Sequence, residues 1–251
     1  VLERDRAWLM AHSTDTLDPE HAARFEALVE RRRKGEPVAY ITGIRGFWRM
    51  DLEVTPAVLI PRPETALLVE QALECLPVDR PCSVADLGTG SGAVALAIAS
   101  ERPRATVLGT DASEAALAVA RGNAERLGLG NVAFAHGDWW QPLANRKFDL
   151  IVSNPPYIEA GDPHLAQGDL RHEPAMALAS GKGGLDAIRT IITGATAHLH
   201  DDGWLWLEHG WNQASAVRNL LQEAGFSEAS SKCDLQQHER VSGGRIVSIF
   251  E

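Results

Sequence analysis

The sequence predicts an α/β fold: a doubly wound, mostly parallel sheet with an antiparallel C-terminal edge, preceded by a small helical domain and a β-hairpin. The first observation is an apolar run at residues 84–87 that passes into a glycine-rich turn and then into a helical pattern. Strand, glycine turn and helix in this order open the nucleotide-binding half of such sheets. The second observation is that β-prone runs at residues 107–111, 132–135 and 148–152 alternate with helical patterns. This alternation is typical of parallel strands joined by crossover helices.

The composition is that of an ordinary globular protein. The chain has 251 residues, of which 45% are hydrophobic and 23% charged, enough for one α/β domain with an appendage. The formal net charge of -10 argues against a protein that holds a long nucleic acid by neutralising phosphates. Residues 31–34 form the one dense basic run. A solvated helix end is favoured for this run over contact with an acidic partner.

Cysteine use and hydropathy suggest the cellular setting. Cys75, Cys82 and Cys233 are odd in number and lack metal-ligand spacing, so we expect reduced packing thiols in a cytoplasmic protein. No apolar run has the length of a membrane span and no basic-then-apolar leader is seen, so neither membrane binding nor export is predicted. We also expect a monomer. The first residue is Val1 and not methionine, which leaves open whether the native N-terminus is missing.

Three segments are predicted in chain order. Residues 1–36 should form a helical domain whose second helix begins at Asp18-Pro19, an N-cap followed by proline. An appendage of this kind more often packs or recognises a partner than catalyses. Residues 37–58 should form a linking β-hairpin, because Tyr40-Ile41-Thr42 is β-prone and glycines interrupt the segment. Residues 59–251 should form the main domain.

The main domain starts with a stiff, extended segment, Leu59-Ile60-Pro61-Arg62-Pro63-Glu64-Thr65. Proline fixes φ and is well tolerated at the first helical position, so Pro63 should open a helix that runs to about residue 76. Arg62 is either a surface charge or a clamp near an active site. On sequence alone, the surface charge is favoured.

The glycine turn, Gly88-Thr89-Gly90-Ser91-Gly92, is the first candidate binding element. Its glycines permit positive φ angles and let backbone N–H groups approach a ligand at a helix N-terminus. The spacing differs from the dinucleotide motif G-x-G-x-x-G, and Asp86 precedes the turn. Asp111 ends the next strand, at the interval where a ribose hydroxyl would be bound. Asp111 could instead cap the following helix, but the two features together favour the ribose role.

Two further strand ends carry polar or aromatic side chains. After the third strand, Asp138 and Trp139 suit an adenine ring, although they could equally anchor the following loop. The fourth strand leads to Asn154-Pro155-Pro156-Tyr157. The two prolines fix φ and remove N–H donors, so carbonyls stay free, while Asn154 offers one acceptor and two donors. This motif suits a planar amide or amine; a strand stop with an Asn turn is the alternative.

The remaining chain should complete the sheet and cover the site. Residues 159–185 form a polar loop too long for a connector, which predicts a lid or a substrate contact. A helix at residues 186–200, a strand at 204–208, a helix at 214–224 and a β-prone end at 245–250 should follow. The closing strands should pair antiparallel around a glycine-containing turn.

Other chemistries are disfavoured by their motifs. Nine histidines include His198-x-His200 and Glu208-His209, but neither pattern is H-E-x-x-H and no Cys/His cluster accompanies them, so no metal is expected. The hydrolase motif G-x-S-x-G and the phosphate-binding G-K-[ST] are also absent from the sequence.

The glycine turn with Asp86, Asp111 and the Asn-Pro-Pro-Tyr motif resembles the class I S-adenosylmethionine-dependent methyltransferases, which have a Rossmann-like sheet. More closely, the chain resembles the peptide-chain release factor glutamine N5-methyltransferase family from Arg33 onward. The closer resemblance is carried by Gly35-Glu36-Pro37-Val38-Ala39-Tyr40-Ile41-Thr42-Gly43, Leu59 to Thr65, Glu173-Pro174, Ala177-Leu178 and Gly184-Leu185-Asp186. Arg171 and His172 depart from the hydrophobic residues of that family.

The resemblance implies methyl transfer from S-adenosylmethionine to the glutamine amide nitrogen in a release factor's Gly-Gly-Gln loop, with S-adenosylhomocysteine as product. It implies that residues 88–92 line the methionine part of the cofactor, that Asp111 holds the ribose and that Trp139 lies at the adenine. Asn154, also a cofactor contact, would hold the substrate amide with the Pro155 carbonyl. Pro156 and Tyr157 would complete the substrate pocket, and Tyr157 would pack on the amide near the cationic centre.

Two rival functions use the same motifs. A DNA or RNA adenine N6-methyltransferase also acts on a planar exocyclic nitrogen, but the acidic balance and the lack of a separate basic reading domain count against it. We therefore expect no direct nucleic acid contact. A catalytically silent binding scaffold is the second rival, and the intact glycine turn and Asn154 motif count against it.

Overall fold

A computed structural model of the protein describes residues 1–247. The helices are α1 (Arg6–Ala11), α2 (Pro19–Arg33), α3 (Val38–Thr42), α4 (Ala66–Cys75), α5 (Ala93–Glu101), α6 (Glu114–Leu127), α7 (Asp186–Ala195) and α8 (Ala214–Glu223). The strands are β1 (Ile44–Phe47), β2 (Met50–Glu53), β3 (Cys82–Leu87), β4 (Ala105–Asp111), β5 (Val132–His136), β6 (Phe148–Ser153), β7 (Leu199–Glu208), β8 (Ser227–Cys233) and β9 (Glu239–Arg245). Within residues 1–247, none of the helices has both the length and the apolar character of a bilayer span.

The seven strands from β3 to β9 form one sheet in the order β5-β4-β3-β6-β7-β9-β8. Neighbours from β5 to β7 are parallel, whereas β9 pairs antiparallel with both β7 and β8. The predicted parallel sheet with an antiparallel C-terminal edge is therefore confirmed. After β3 the chain first builds one side of the sheet and then returns to build the other. Open α/β sheets bind ligands at such a switch point, outside the carboxyl ends of the strands.

Helices cover both faces of this sheet. On one face, Leu68 of α4 and Leu96 of α5 belong to a buried cluster with Leu150 of β6. On the other face, Ile188 of α7 clusters with Ile151 of the same strand. Burying one such side chain contributes about 1.5–3 kcal/mol relative to leaving it exposed. The two layers hold β6, and with it the start of the Asn154 motif, between packed faces.

The N-terminal segment has little interior of its own. No residue of α1 or α2 is buried. As predicted, Asp18 caps α2, where its side chain accepts from two backbone N–H groups, and Pro19 follows at the first helical position. The prediction that the basic run ends this helix is also confirmed, because three arginines occupy its last turn.

The strand expected around residues 40–42 is wrong, because Val38–Thr42 is the short helix α3. Pro37 precedes this helix and Gly43, in the left-handed conformation, ends it. Tyr40 is buried and its hydroxyl donates to the Val58 carbonyl at 2.6 Å. End signals and burial thus override the β propensity of the segment. The predicted hairpin is reduced to β1 and β2, which pair antiparallel.

The C-terminal elements also differ from the prediction. The helix expected to reach residue 200 ends at Ala195, and β9 ends at Arg245, where the predicted β-prone end begins. Residues 248–250 of that end lie outside the described part of the chain. Gly243 lies inside β9, and it has to be glycine because a Cβ there would come within 2.3 Å of Trp206. The turn between β8 and β9 is organised by the Asp234 carboxylate, which accepts from two backbone N–H groups.

Candidate active site

A cleft of about 1090 Å³, its open mouth included, lies at the carboxyl ends of the parallel strands. The sheet order brings the ends of β5, β4, β3 and β6 side by side. The predicted site residues that line the cleft are Gly88, Thr89, Gly90, Ser91, Asp111, Trp139, Asn154 and Pro156. Gly92, Pro155 and Tyr157 are not among the lining residues.

The turn after β3 brings backbone to the edge of the cleft. The N–H groups of Gly88 and Thr89 both donate to the Thr110 carbonyl, each at 2.9 Å. Gly88 and Gly90 have φ angles of 72° and 56°, a region that glycine adopts without steric cost. A Cβ added at Gly90 would meet no heavy atom within 4 Å. Open space therefore lies directly against the main chain, where a ligand can approach it.

Asp111 joins the end of β4 to the glycine turn. One carboxylate oxygen accepts from the Gly90 N–H and the other from the Ser113 N–H, both at 2.9 Å. The alternative that Asp111 caps the following helix is wrong, because Ser113 is the N-cap of α6. Each carboxylate oxygen has a second lone pair, so Asp111 can still accept a hydrogen bond from a ligand in the cleft.

Asp86 is a site residue whose contacts were not predicted from the sequence. Its side chain is buried under the glycine turn, where Oδ2 accepts from the Thr89 hydroxyl at 2.7 Å and the Ala95 N–H at 3.1 Å. Burial raises the pKa of this carboxyl to about 6, against the lowering effect of these two hydrogen bonds. Asp86 thus holds the turn to the start of α5. The sequence feature that could have indicated this role is an acidic residue inside an apolar strand.

Trp139 and Gly92 occupy different positions relative to the cleft. Trp139 lines it and has a φ angle of 39°, and its ring lies 3.7 Å from where a Cβ on Gly88 would stand. Gly92 has a φ angle of 84°, and a Cβ there would stand 3.0 Å from Leu96 and 3.3 Å from Ala120. Gly92 is therefore closely packed against Leu96 and Ala120, whereas the Trp139 ring forms a wall of the cleft.

The Asn154 motif forms the opposite end of the cleft. The Asn154 side-chain Nδ2 donates to the Thr65 hydroxyl at 3.2 Å, which turns Oδ1 away from that contact. Within residues 1–247, no hydrogen bond is made to Asn154 Oδ1 or to the Pro155 carbonyl. Both acceptors, on consecutive residues, therefore remain unused by the described part of the chain.

Tyr157 lies in the loop after β6 and is held to the end of β7 and to the start of α8. Its hydroxyl donates to Glu208 Oε1 at 3.1 Å, and its carbonyl accepts from Gln213 Nε2 at 3.0 Å. Burial and the Glu208 carboxyl raise the pKa of Tyr157. Glu208 is itself buried at the end of β7, and burial raises its pKa to about 7. The contact of Glu208 with Tyr157 was not predicted from the sequence. A carboxyl directly after the apolar run at residues 204–207 could have indicated that Glu208 lies near the site.

Arg62 is a clamp and not the surface charge that was favoured. It pairs with Glu173, whose side chain is fully buried and also accepts from the Ile60 N–H at 3.2 Å. Burial raises the pKa of Glu173, against the opposing effect of Arg62. Pro61 precedes the clamp and Pro174 follows it, and both line the cleft. The ion pair therefore joins two walls that are far apart in sequence.

The described part of the chain was also searched for a possible metal site. Among residues 1–247, no group of three or more metal-ligating side chains comes together. The three cysteines are free, and Cys82 is buried while Cys233 is exposed.

Comparisons with known proteins agree with this architecture. The chain matches the model of the methyltransferase small domain over residues 65–183 and that of the PrmC N-terminal domain over residues 1–43. The T. thermophilus 16S rRNA N2 G1207 methyltransferase has a similar fold, with a TM-score of 0.60 and 23% identity over 81% of this chain and 49% of that chain.

Closer similarity is found among curated sequences. The chain is 55% identical over 245 residues to a release factor glutamine methyltransferase of Xylella fastidiosa, covering 98% of this chain and 89% of that protein. It is 53% identical over 247 residues to a release factor glutamine methyltransferase of Bordetella pertussis, and the match covers 98% of this chain and 91% of that protein. The chain belongs to the release factor glutamine methyltransferase family.

Proposed function

We propose that the protein transfers a methyl group from S-adenosylmethionine to the side-chain amide nitrogen of the glutamine in the Gly-Gly-Gln loop of peptide-chain release factors. S-adenosylhomocysteine is the second product. The observation that carries this proposal is the pair of unused acceptors, Asn154 Oδ1 and the Pro155 carbonyl, beside a cleft that begins at the glycine turn. Membership of the family supports the same substrate.

The cleft fits the proposed cofactor. Open space lies against Gly90, and the Asp111 carboxylate faces the same turn with acceptor capacity left for a ribose hydroxyl. Trp139 provides an aromatic wall suited to adenine. When bound, S-adenosylmethionine supplies a methyl group on a sulfonium centre. The binding residues we propose are Gly88, Thr89, Gly90, Ser91, Gly92, Asp111, Trp139 and Asn154.

The substrate nitrogen needs help from the protein because an amide lone pair is delocalised into its carbonyl group. Asn154 Oδ1 and the Pro155 carbonyl would each accept one N–H of the glutamine amide. The two hydrogen bonds hold the nitrogen in one orientation and favour the positive charge that develops there during transfer. The nitrogen would bond to the methyl group as the bond from that group to sulfur breaks, and it would then release one of its two protons to solvent. Orientation and preorganised dipoles together are able to supply several kcal/mol of barrier reduction. Pro156 and Tyr157 would shape the pocket around the planar amide.

The domain organisation follows from this assignment. We assign residues 59–251 to the catalytic domain, residues 37–58 to the linker and residues 1–36 to recognition of the release factor. The exposed apolar side chains of the N-terminal helices, among them Leu9, Met10 and Phe25, support the last assignment, because a partner would cover them. We further propose that the protein acts as a monomer in the cytoplasm, where its substrate is found.

Incubation with radiolabelled cofactor tests the proposal. The purified protein is mixed in parallel with a release factor, with the same factor carrying glutamine-to-alanine in its Gly-Gly-Gln loop, and with DNA and RNA. We expect label only in the unmodified release factor, and peptide mass spectrometry should place one methyl group on that glutamine. Label in nucleic acid but not in protein would instead establish the adenine methyltransferase.

A further inference from the structure

The middle of the Asn154 motif, Pro155-Pro156, makes no hydrogen bonds of its own. Proline has no N–H group, and within residues 1–247 no hydrogen bond is made to either proline carbonyl. The position of this pair is therefore set by the residues on either side. On the strand side, the buried Ser153 hydroxyl donates to the Leu87 carbonyl at 2.6 Å. On the other side, the Tyr157 carbonyl is the group that is held.

Gln213 binds this far side of the motif. Its Nε2 donates to the Tyr157 carbonyl and to the Gly183 carbonyl, both at 3.0 Å. Its Oε1 accepts from the Gly210 N–H at 2.8 Å. Gln213 is 9% exposed and precedes α8 as its N-cap residue. One side chain thus joins the motif, the end of the long loop at residues 159–185 and the turn after β7.

The three partners of Gln213 decide which way its amide points. Each partner is a backbone group with a fixed role, because an N–H only donates and a carbonyl only accepts. A flipped amide would place its oxygen against the carbonyls of Tyr157 and Gly183. Its N–H₂ group would then face the Gly210 N–H, so that like would oppose like at all three contacts. Only one orientation of Gln213 satisfies the site.

Glycine at position 184 leaves room for this contact. Gly184 has a φ angle of 70°, and a Cβ there would stand 2.0 Å from the Tyr157 carbonyl oxygen and 2.9 Å from Gln213 Nε2. Any other residue at this position would collide with the backbone that Gln213 binds. The long loop therefore approaches the motif most closely at the point where Gln213 joins the two.

The turn after β7 is itself fixed, which a positioning role requires. His209 is fully buried; its Nδ1 bonds to the Gly210 carbonyl at 2.9 Å and its Nε2 to the Ser242 hydroxyl at 2.7 Å. The Gly210 carbonyl also accepts from the Gln213 N–H at 2.9 Å. These bonds hold the turn to β9, so the amide of Gln213 starts from a rigid base.

We propose that Gln213 is a positioning residue for methyl transfer, which holds the Tyr157 carbonyl in place and thereby fixes the direction of the Pro155 carbonyl. This role rests on the proposed function, because it affects turnover only if the Pro155 carbonyl receives a substrate N–H. The two prolines have fixed φ angles, so a shift at Tyr157 is passed on to the Pro155 carbonyl. Misplacement of a reacting group by about 1 Å can lower a rate by about 10²-fold.

Gln213→Glu tests this role with little change in shape, because it places a second oxygen against two carbonyls. We expect a kcat on the release factor about 30- to 100-fold lower than that of wild type. Gln213→Met has no N–H group but no charge either, and should lose about tenfold. The dissociation constant of the cofactor, measured by calorimetry, should stay within about threefold, because Gln213 is not assigned to cofactor binding. Wild-type kcat in either variant would overturn the proposal.

Asn131→Asp is the matched control. Asn131 Nδ2 donates to the carbonyls of Ala99, Arg102 and Ala105 at 3.0, 3.2 and 3.2 Å, so this change also places an oxygen against backbone carbonyls. The site lies at the amino ends of β4 and β5, away from the cleft. Asn131→Asp should lose stability as Gln213→Glu does, yet keep kcat within about twofold of wild type. An equal loss of kcat in the control would show that Gln213 acts only through stability.

Hydrogen exchange without substrate separates this inference from the proposed function. The N–H groups of Ile158 and Ala160 donate to carbonyls of the long loop at 2.9 and 2.8 Å. Their exchange should be at least about tenfold faster in Gln213→Glu and unchanged in Asn131→Asp. Faster exchange in a protein that fails to methylate a release factor would reject the proposed function and keep the anchoring contact. An active wild type whose exchange is unaffected by Gln213→Glu would reject the anchoring role alone.

Discussion

The two ends of the cleft are built in different ways. The cofactor end consists of the glycine turn, Asp111 and Trp139, and its bonds join residues close in the chain, such as Gly90 and Asp111, which are 21 positions apart. The substrate end brings together Thr65 and Asn154, 89 positions apart, and Arg62 and Glu173, 111 positions apart. The first end depends mainly on backbone groups of one βαβ unit. The second depends on buried side chains from four separate segments.

Because of this difference, substitutions should impair cofactor binding and substrate methylation separately. Backbone hydrogen bonds in the glycine turn survive most side-chain substitutions, so the cofactor end should tolerate changes made at the substrate end. Buried carboxyls such as Glu173 and Glu208 carry raised pKa values because of burial, so the substrate end should respond to pH and to the loss of any one partner.

Asn154→Ala should give the largest difference between the effect on turnover and the effect on cofactor binding. Loss of one of the two proposed acceptors for the amide should lower kcat on a release factor by about 10²–10³-fold, as is found when a single placed transition-state hydrogen bond is removed. Asn154 is also one of the proposed cofactor contacts, so the dissociation constant of S-adenosylmethionine should rise as well, but by no more than about tenfold, the contribution of one ordinary hydrogen bond. Steady-state kinetics and calorimetry measure the two quantities. Full turnover in this variant would refute the mechanism even if the enzyme class is right.

The pH dependence of stability should reveal the buried carboxyl at the substrate end. The pKa of Glu208 is raised from 4.5 to about 7, so the folded protein holds this proton over a range where the unfolded chain has lost it. Its contribution to stability is then fully present below pH 4.5 and is lost as the pH rises through 7, by up to about 3 kcal/mol. Burial is the main cause of the raised pKa and Glu64 adds to it, whereas Thr65, Tyr157 and Arg240 oppose it.

Urea unfolding of wild type and Glu208→Gln at pH 5 to 8.5 measures this effect. The free energy of unfolding of wild type should fall relative to that of the variant as the pH rises through this window. The slopes should be compared, because the substitution also changes the hydrogen bonds to Tyr157. Parallel curves for the two proteins would show that Glu208 is already ionised at pH 5.

Asp111→Ala tests the cofactor end. A hydrogen bond to a charged group contributes about 1.5–3 kcal/mol, so we expect cofactor affinity to fall by about 10- to 100-fold. Asp149→Ala is the control, because this carboxylate, near the start of β6, accepts hydrogen bonds from Ser83 of β3 at the amino ends of the strands, away from the cleft. Calorimetric titration with S-adenosylmethionine compares the two variants. Unchanged affinity in Asp111→Ala would contradict the ribose-binding role.

Removal of the Arg62 clamp should have the smallest effect of these changes, a modest loss of stability, because the Arg62 side chain is 30% exposed to solvent. Arg62→Ala leaves the buried Glu173 without its partner and should lower the free energy of unfolding by about 1–2 kcal/mol, a value discounted for this exposure. The double variant Arg62→Ala/Glu173→Gln removes the unpaired charge and should recover part of the loss. Chemical denaturation at pH 8 compares the three proteins; equal stability of wild type and Arg62→Ala would mean that the clamp contributes nothing.

Local patterns were sufficient to predict most of the sheet. Apolar runs ending in glycine, aspartate or asparagine located β3, β4 and β6, and the Asp18-Pro19 pair located the start of α2. The prediction failed at α3, where the end signals of Pro37 and Gly43 and the burial of Tyr40 outweigh a β-prone sequence. It failed again at β9, where Gly243 leaves space for Trp206. In both places a contact with a distant segment decides the backbone.

The sequence by itself determined the α/β class, the positions of the main parallel strands along the chain and the two motifs at residues 88–92 and 154–157, because each is encoded by neighbouring residues. Only the tertiary structure decided which side chains stand behind those motifs. Thr65, Glu173 and Glu208 approach the site from distant segments and act by burial and hydrogen bonding. No local pattern encodes such contacts, since they arise only when the packed sheet brings remote strand ends to one edge.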